Sequence, residues 1–232
     1  MIGVKRMEQG PVLLSDLDGT LLDVRERFAF AQAATLSSLG HEVPVVRLQS
    51  LYRFCLDAVK LLEILEIKLT PKELVQYYMR VSTEFLANWK SSRLVPGVKQ
   101  AFEGLRSRVR TMRIITSRRE IQETRKEVHA FGLDSIFDGV FTRGDLALVE
   151  GVEEVPLYPF IEHRQRLIQL ALEGLDYRGV VWVLGDSPAE LEAAKGLGFF
   201  SVGVLTGFAD HNDLEPLADY ILNSAAEIGQ LI

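Results

Sequence analysis

From Pro96-Gly97 onward the chain alternates between short apolar runs and stretches whose apolar residues recur at helical spacing. The reading is helix 98–108, strand 112–116, helix 120–131 closed by Gly132, strand 139–142, helix 160–174, strand 180–185, helix 188–197 and strand 200–205. An earlier run, Pro11-Val12-Leu13-Leu14-Ser15, is of the same kind, and Ala218-Asp219-Tyr220-Ile221-Leu222 supplies an edge strand before a short C-terminal helix. Apolar strands joined by helices form a parallel sheet with right-handed crossovers and helices on both faces. The expected class is therefore α/β, with a Rossmann-like parallel sheet at its core.

Between the first strand and residue 94 the pattern is helical throughout. A helix over 28–39 stops at Gly40. A second, over 51–66, places Leu51, Phe54, Cys55, Ala58, Leu62 and Leu65 on one face. A third starts with Thr70 as N-cap, Pro71 in the first turn and Glu73 closing a capping box, and runs to about residue 89. Residues 25–93 thus read as an all-helical insertion into a core made of 1–24 and 94–232. Phe28, Phe30, Phe54, Tyr77, Tyr78 and Phe85 are expected to form its interior. Arg25, Arg27, Arg53 and Lys60 are expected to be solvated, a substrate contact being the alternative for each.

With 232 residues, 47% hydrophobic, the chain is long enough for one such core and a smaller inserted module. A net charge of -6 and the lack of a Lys/Arg run argue against a nucleic-acid partner. Cys55 is the sole cysteine, so no internal disulfide forms and the residue reads as packing. The polar opening MIGVKRMEQG and the absence of an 18-residue apolar run argue against secretion and a membrane span, so the expected location is cytoplasmic. His41, His129 and His211 lack metal spacing and read as surface residues.

In open parallel sheets, ligands gather beyond the carboxyl ends of the strands. Those ends carry Asp16-Leu17-Asp18-Gly19-Thr20, Thr116-Ser117-Arg118, Arg143-Gly144-Asp145 and Gly185-Asp186-Ser187-Pro188. Asp16 and Asp18 stand two apart on an extended segment and face one way, with Leu17 packed below. With Asp186 they suit a hard cation, Mg²⁺, which eases the approach of a carboxylate to a phosphoryl group. Asp16 then reads as a nucleophile and Asp18 as general acid and base. Capping competes for some of these residues: Ser117 with Glu120, and Ser187 with Glu190, both have capping-box spacing.

The segments Asp-Leu-Asp-Gly-Thr-Leu-Leu-Asp, Ile-Ile-Thr-Ser and Gly-Asp-Ser-Pro-Ala-Glu-Leu-Glu-Ala-Ala-Lys-Gly-Leu-Gly resemble motifs one, two and four of the haloacid dehalogenase superfamily in residues, order and spacing. The chain is most similar to its phosphoglycolate-phosphatase-like members with a helical cap. The resemblance implies Asp16 as nucleophile, Asp18 as acid/base with its main-chain carbonyl on Mg²⁺, and Asp186 on the metal with Glu190 behind it. Thr116, with Ser117 and Gly19 beside it, is implied to hold the phosphoryl group. The acid at Asp18 favours phosphate chemistry over the dehalogenase and phosphonate-cleaving branches. The lysine that the family places before motif four is missing, because no lysine lies between Lys126 and Lys195. Arg164 is the first candidate to replace it, then Arg166, then His163. The implied activity is hydrolysis of a small phosphorylated metabolite by a monomer or homodimer, the alternatives being a phosphomutase or a non-catalytic protein on the same scaffold.

Overall fold

The computed structural model describes residues 10–54, 57–153, 155, 160–175, 177 and 179–232. The chain divides into two compact units, Met1–Leu22 with Leu94–Ile232, and Asp23–Arg93. Strand β1 (Val12–Ser15) is buried along its whole length. A short β2 (Leu22–Asp23) follows it.

The smaller unit is helical: α1 (Arg25–Ser38), α2 (Val45–Ser50), a 3₁₀ turn (Tyr52–Phe54), α3 (Ala58–Ile64) and α4 (Pro71–Ala87), then a 3₁₀ turn (Trp89–Ser91) and β3 (Arg93–Leu94). Ala29, Leu36, Leu48, Ala58, Leu61, Leu62 and Tyr77 form its interior. The single helix expected over 51–66 is broken, because Asp57 caps a new helix by accepting from the Lys60 amide at 3.0 Å. Cys55 lies outside the described residues. The Thr70 and Glu73 box is present as read. Phe30 and Tyr78, expected inside, are exposed. Arg27, expected in solvent, is fully buried: its guanidinium lies 3.7 Å above the Phe85 ring and donates to the Phe85 carbonyl and to Ser92. Arg25 is exposed and pairs with Asp23. With Glu26, Gln49, Ser91 and Arg93 these two line a polar hollow of about 450 Å³ on this unit.

The larger unit continues with α5 (Val98–Leu105), β4 (Thr111–Thr116), α6 (Ile121–Ala130), β5 (Val140–Thr142), α7 (Arg143–Glu150), α8 (Phe160–Leu172), β6 (Val181–Gly185), α9 (Pro188–Gly196), β7 (Phe200–Val204), α10 (His211–Leu214), β8 (Tyr220–Leu222) and a 3₁₀ turn (Ala225–Gln230). The six core strands run parallel in the order β5-β4-β1-β6-β7-β8. On one face Val12, Leu14, Val181 and Val183 pack against Leu167, Ile168 and Ala171 of α8 and Ala193 and Ala194 of α9. Helix α7 is an addition to the expected pattern. Thr142 and Asp145 form its capping box, so Asp145 spends itself on a helix start and on Arg125, and not on the strand rim. Among the described residues no helix is long and apolar enough to cross a membrane.

Candidate active site

The sheet order reverses at β1, whose two neighbours are β4 and β6. A crevice for ligands opens at such a switch point, and Asp16, Thr116 and Asp186 are the residues at or just past the carboxyl ends of those three strands. Asp16 is 3% exposed, and its amide donates to the Leu184 carbonyl at 2.8 Å. Leu17 is fully buried, as the alternation of an extended segment requires.

Arg164, projecting from α8, reaches Asp16: Nη1 stands 3.3 Å from Asp16 Oδ1, and Nη2 is paired with Glu190. The Nη1 contact with Asp16 is an ion pair. Arg166 turns the other way, to Glu150 on α7. His163 is 2% exposed, with Nε2 3.0 Å from Ser117 Oγ. Of the three candidates for the missing lysine's place, the structure brings only Arg164 to Asp16.

Neither expected capping box at this rim forms. Helix α6 begins after Glu120 with no side-chain cap, and Ser117 is engaged with His163 instead. At α9 the Ser187 hydroxyl bonds to the Glu190 carboxylate and caps no backbone amide. Glu190 is 1% exposed, and a buried carboxylate at this depth needs the cation it has in Arg164.

Asp186 is held from a direction that the sequence did not announce. Its Oδ2 accepts from the Phe208 amide at 2.8 Å, in the turn after β7. A Cβ on Gly207 would lie 1.7 Å from that oxygen, and one on Gly19 2.3 Å from it. Gly19 has φ +87°, so two backbones approach the carboxylate where no side chain fits. The Gly19 amide is spent on the Leu22 carbonyl at 2.8 Å, and its carbonyl accepts from Thr206 at 2.7 Å. Gly19 therefore shapes the site by leaving room for Asp186. The Thr116 hydroxyl is 98% buried by residue and accepts from the Arg118 amide at 3.3 Å.

The sequence places Arg118 at the rim without giving it a role, and does not single out Glu127. Arg118 clamps both oxygens of Asp18, at 2.7 and 2.5 Å, and both of Glu127. The signal for Glu127 was a charge inside the buried stripe of α6, between Thr124 and Val128.

Among the described residues, Asp16, Asp18, Asp186, Glu190 and Glu127 share two guanidiniums, those of Arg118 and Arg164. Burial raises the Asp16 pKa well above the usual carboxylate range; Arg164 opposes this, while Glu190, Asp186 and Asp18 add to it. Burial, then Glu190, pushes Asp186 up to about 8. Burial works against Arg118 and Arg164, but their carboxylate partners outweigh it and hold both guanidiniums charged. No three acidic, histidine or cysteine side chains among the described residues are gathered as a ready-made metal cluster. The donors are nevertheless oxygens, deeply buried and short of positive charge, a setting that fits a hard divalent cation.

A family model described as haloacid dehalogenase-like hydrolase matches residues 13–204. A phosphoglycolate phosphatase from Synechococcus elongatus is 28% identical over 170 residues, 71% of this chain and 71% of that one. Among solved structures, a haloacid dehalogenase-like family hydrolase from Streptococcus pneumoniae superposes with a TM-score of 0.74 at 18% identity, covering 97% of this chain and 98% of that one. A structure described as a predicted phosphoglycolate phosphatase from Haemophilus somnus gives 0.68 at 19% identity, covering 97% and 98%. At these identities the structures speak for the fold.

Proposed function

Because the chain belongs to the haloacid dehalogenase-like hydrolases, and is a phosphatase among them, we propose that it hydrolyses a small-molecule phosphate monoester through an aspartyl phosphate on Asp16. The observation that carries this reading is Arg164 beside Asp16: a guanidinium shared with Glu190 stands in a buried acidic cluster, where an anionic substrate must approach.

In this reading Asp16 attacks phosphorus as the ester oxygen departs, and Asp18 gives that oxygen its proton. Water then attacks the aspartyl phosphate and returns a proton to Asp18, freeing Asp16 and inorganic phosphate. Arg164 offsets the charge of the phosphoryl group and keeps Glu190 paired. The Thr116 hydroxyl, at the end of β4, holds a phosphoryl oxygen, with Ser117 beside it. Mg²⁺ would be held by Asp16, the Asp18 carbonyl and Asp186 with Glu190 behind, and would supply the remaining positive charge. The arginine that stands in for the lysine brings a planar fork where the family has a compact ammonium. The reading places the enzyme in the cytoplasm, acting on a small phosphorylated metabolite.

The test is phosphate release from p-nitrophenyl phosphate and from a panel of phosphorylated metabolites that includes phosphoglycolate. Release should need Mg²⁺ and vanish in Asp16→Asn. Activity that persists in excess chelator, or in Asp16→Asn, removes the mechanism.

A further inference from the structure

The buried cation Arg118 has no part in the chemistry above, yet it holds the residue that moves the proton. Its Nε and Nη2 donate to Asp18 Oδ2 and Oδ1 at 2.7 and 2.5 Å, and Nη1 and Nη2 donate to Glu127 Oε2 and Oε1 at 2.6 and 3.2 Å. The residue is 8% exposed. Four of its five N–H donors are thus committed to two carboxylates in the fork geometry that suits them. Arg118 is built to hold protein carboxylates, not substrate.

The two partners differ in what holds them. Glu127 is 3% exposed on α6, in the middle of a regular helix, and has no route to the strand rim. The Arg118 backbone is pinned as well: its amide donates to Thr116 Oγ1 at 3.3 Å, and its carbonyl accepts from the Arg143 amide at 3.0 Å. Asp18 instead sits in the turn after β1 and is partly open to solvent. With both oxygens accepting from Arg118, Asp18 can take up or give a proton only by weakening a bond of the clamp. Glu127 keeps the clamp in place meanwhile.

Resting on the reading of Asp18 as general acid and base, we propose that Arg118, anchored by Glu127, is a positioning residue that stores the Asp18 carboxylate in a fixed rest position between proton transfers. The proton Asp18 gives to the ester oxygen comes back from the attacking water, so the cycle closes without another donor. Between the two transfers Arg118 keeps the carboxylate within reach of the reacting oxygens and out of the cation site that Asp16 and Asp186 share.

The measurement is kcat/KM in Mg²⁺ for phosphoglycolate, whose alkoxide must be protonated to leave, and for p-nitrophenyl phosphate, whose phenolate leaves unaided. Variants are Asp18→Asn, Arg118→Met, the pair Arg118→Met with Glu127→Leu, and each combined with Asp18→Asn. The pair removes two buried charges together, whereas Arg118→Met alone takes from Glu127 the cation that meets both of its oxygens. Asp18→Asn is expected to lower kcat/KM for the alkyl ester by about 10²-fold or more. Loss of Arg118 should lower it by about tenfold, with less than about threefold for the aryl ester, and should add nothing once Asp18 is Asn. Equal losses on both esters, a loss that persists in the Asp18→Asn background, or no change on either ester overturns the proposal. Asp16→Asn separates the two failures: activity that survives it removes the proposed mechanism and this inference together, whereas additivity with Asp18→Asn removes this inference alone.

Discussion

His163 carries no charge in the folded protein. Burial first, then Arg164 and Arg143, press its pKa down to about 3, and its Nδ1 has no hydrogen-bond partner. The unfolded chain takes up this proton near pH 6.5. The unfolded state therefore binds more protons between about 6.5 and about 3, and stability falls as pH falls through that window, by up to about 1.4 kcal/mol per unit. Urea unfolding at pH 7 and pH 5 should show a steeper acid loss in the wild type than in His163→Gln. Equal losses contradict the assignment. Asp186 works with the opposite sign. Its folded pKa is raised to about 8, so its share of stability is greatest at low pH and is shed as pH climbs through that value. A second residue prediction concerns Gly207, whose Cβ position lies 1.7 Å from Asp186 Oδ2. Gly207→Ala should displace that carboxylate and cost on the order of 10²-fold in kcat/KM, as misplaced catalytic groups do. Unchanged activity would mean that the position of Asp186 does not matter. Asp16, Asp18 and Asp186 were legible as single letters because each stands at a strand's end. Arg118 and Phe208 were not, since their meaning depends on which distant backbone or carboxylate they meet.

Among the elements, α4 has the start that the sequence spells out: the Thr70 hydroxyl accepts from the Glu73 amide at 3.3 Å, and Glu73 answers to the Thr70 amide at 2.8 Å. Thr70→Ala should cost about 1 kcal/mol, seen as a lower urea midpoint with an unchanged slope. No change in midpoint would mark the cap as dispensable. Elements with this local signature were readable, as were mostly apolar strands that are buried along their whole length, such as β1 and β6. The break in the stretch 51–66 was not, because its apolar stripe continues across the interruption and only the Asp57 cap marks a new start. Helix α7 was missed for a related reason. Its Thr142 and Asp145 box looked like a polar rim, and the same residue types serve a cap or a ligand site until partners are known.

At the scale of the molecule, the site is an excess of negative charge collected from chain segments that lie far apart in sequence. Mg²⁺ should therefore raise the melting temperature, by about 5 °C at saturating metal. The gain should be larger at pH 8.5 than at pH 6, because the metal competes with the protons that Asp16 and Asp186 retain. Scanning calorimetry with and without metal measures both effects, and a shift that is the same at both pH values counts against Asp186 as a ligand. The class of fold could be read from the alternation of strands and helices, whereas the placing of β1 at the middle of the sheet could not, since periodicity carries no neighbour order. That placing bears on how the protein is made. During synthesis β1 leaves the ribosome before either of its partners, so both of its edges wait unpaired until Thr111–Thr116 is translated and one of them until Val181–Gly185 is. An apolar strand with two open edges is a template for pairing with other chains, and this one has most to gain from a chaperone that shields nascent segments.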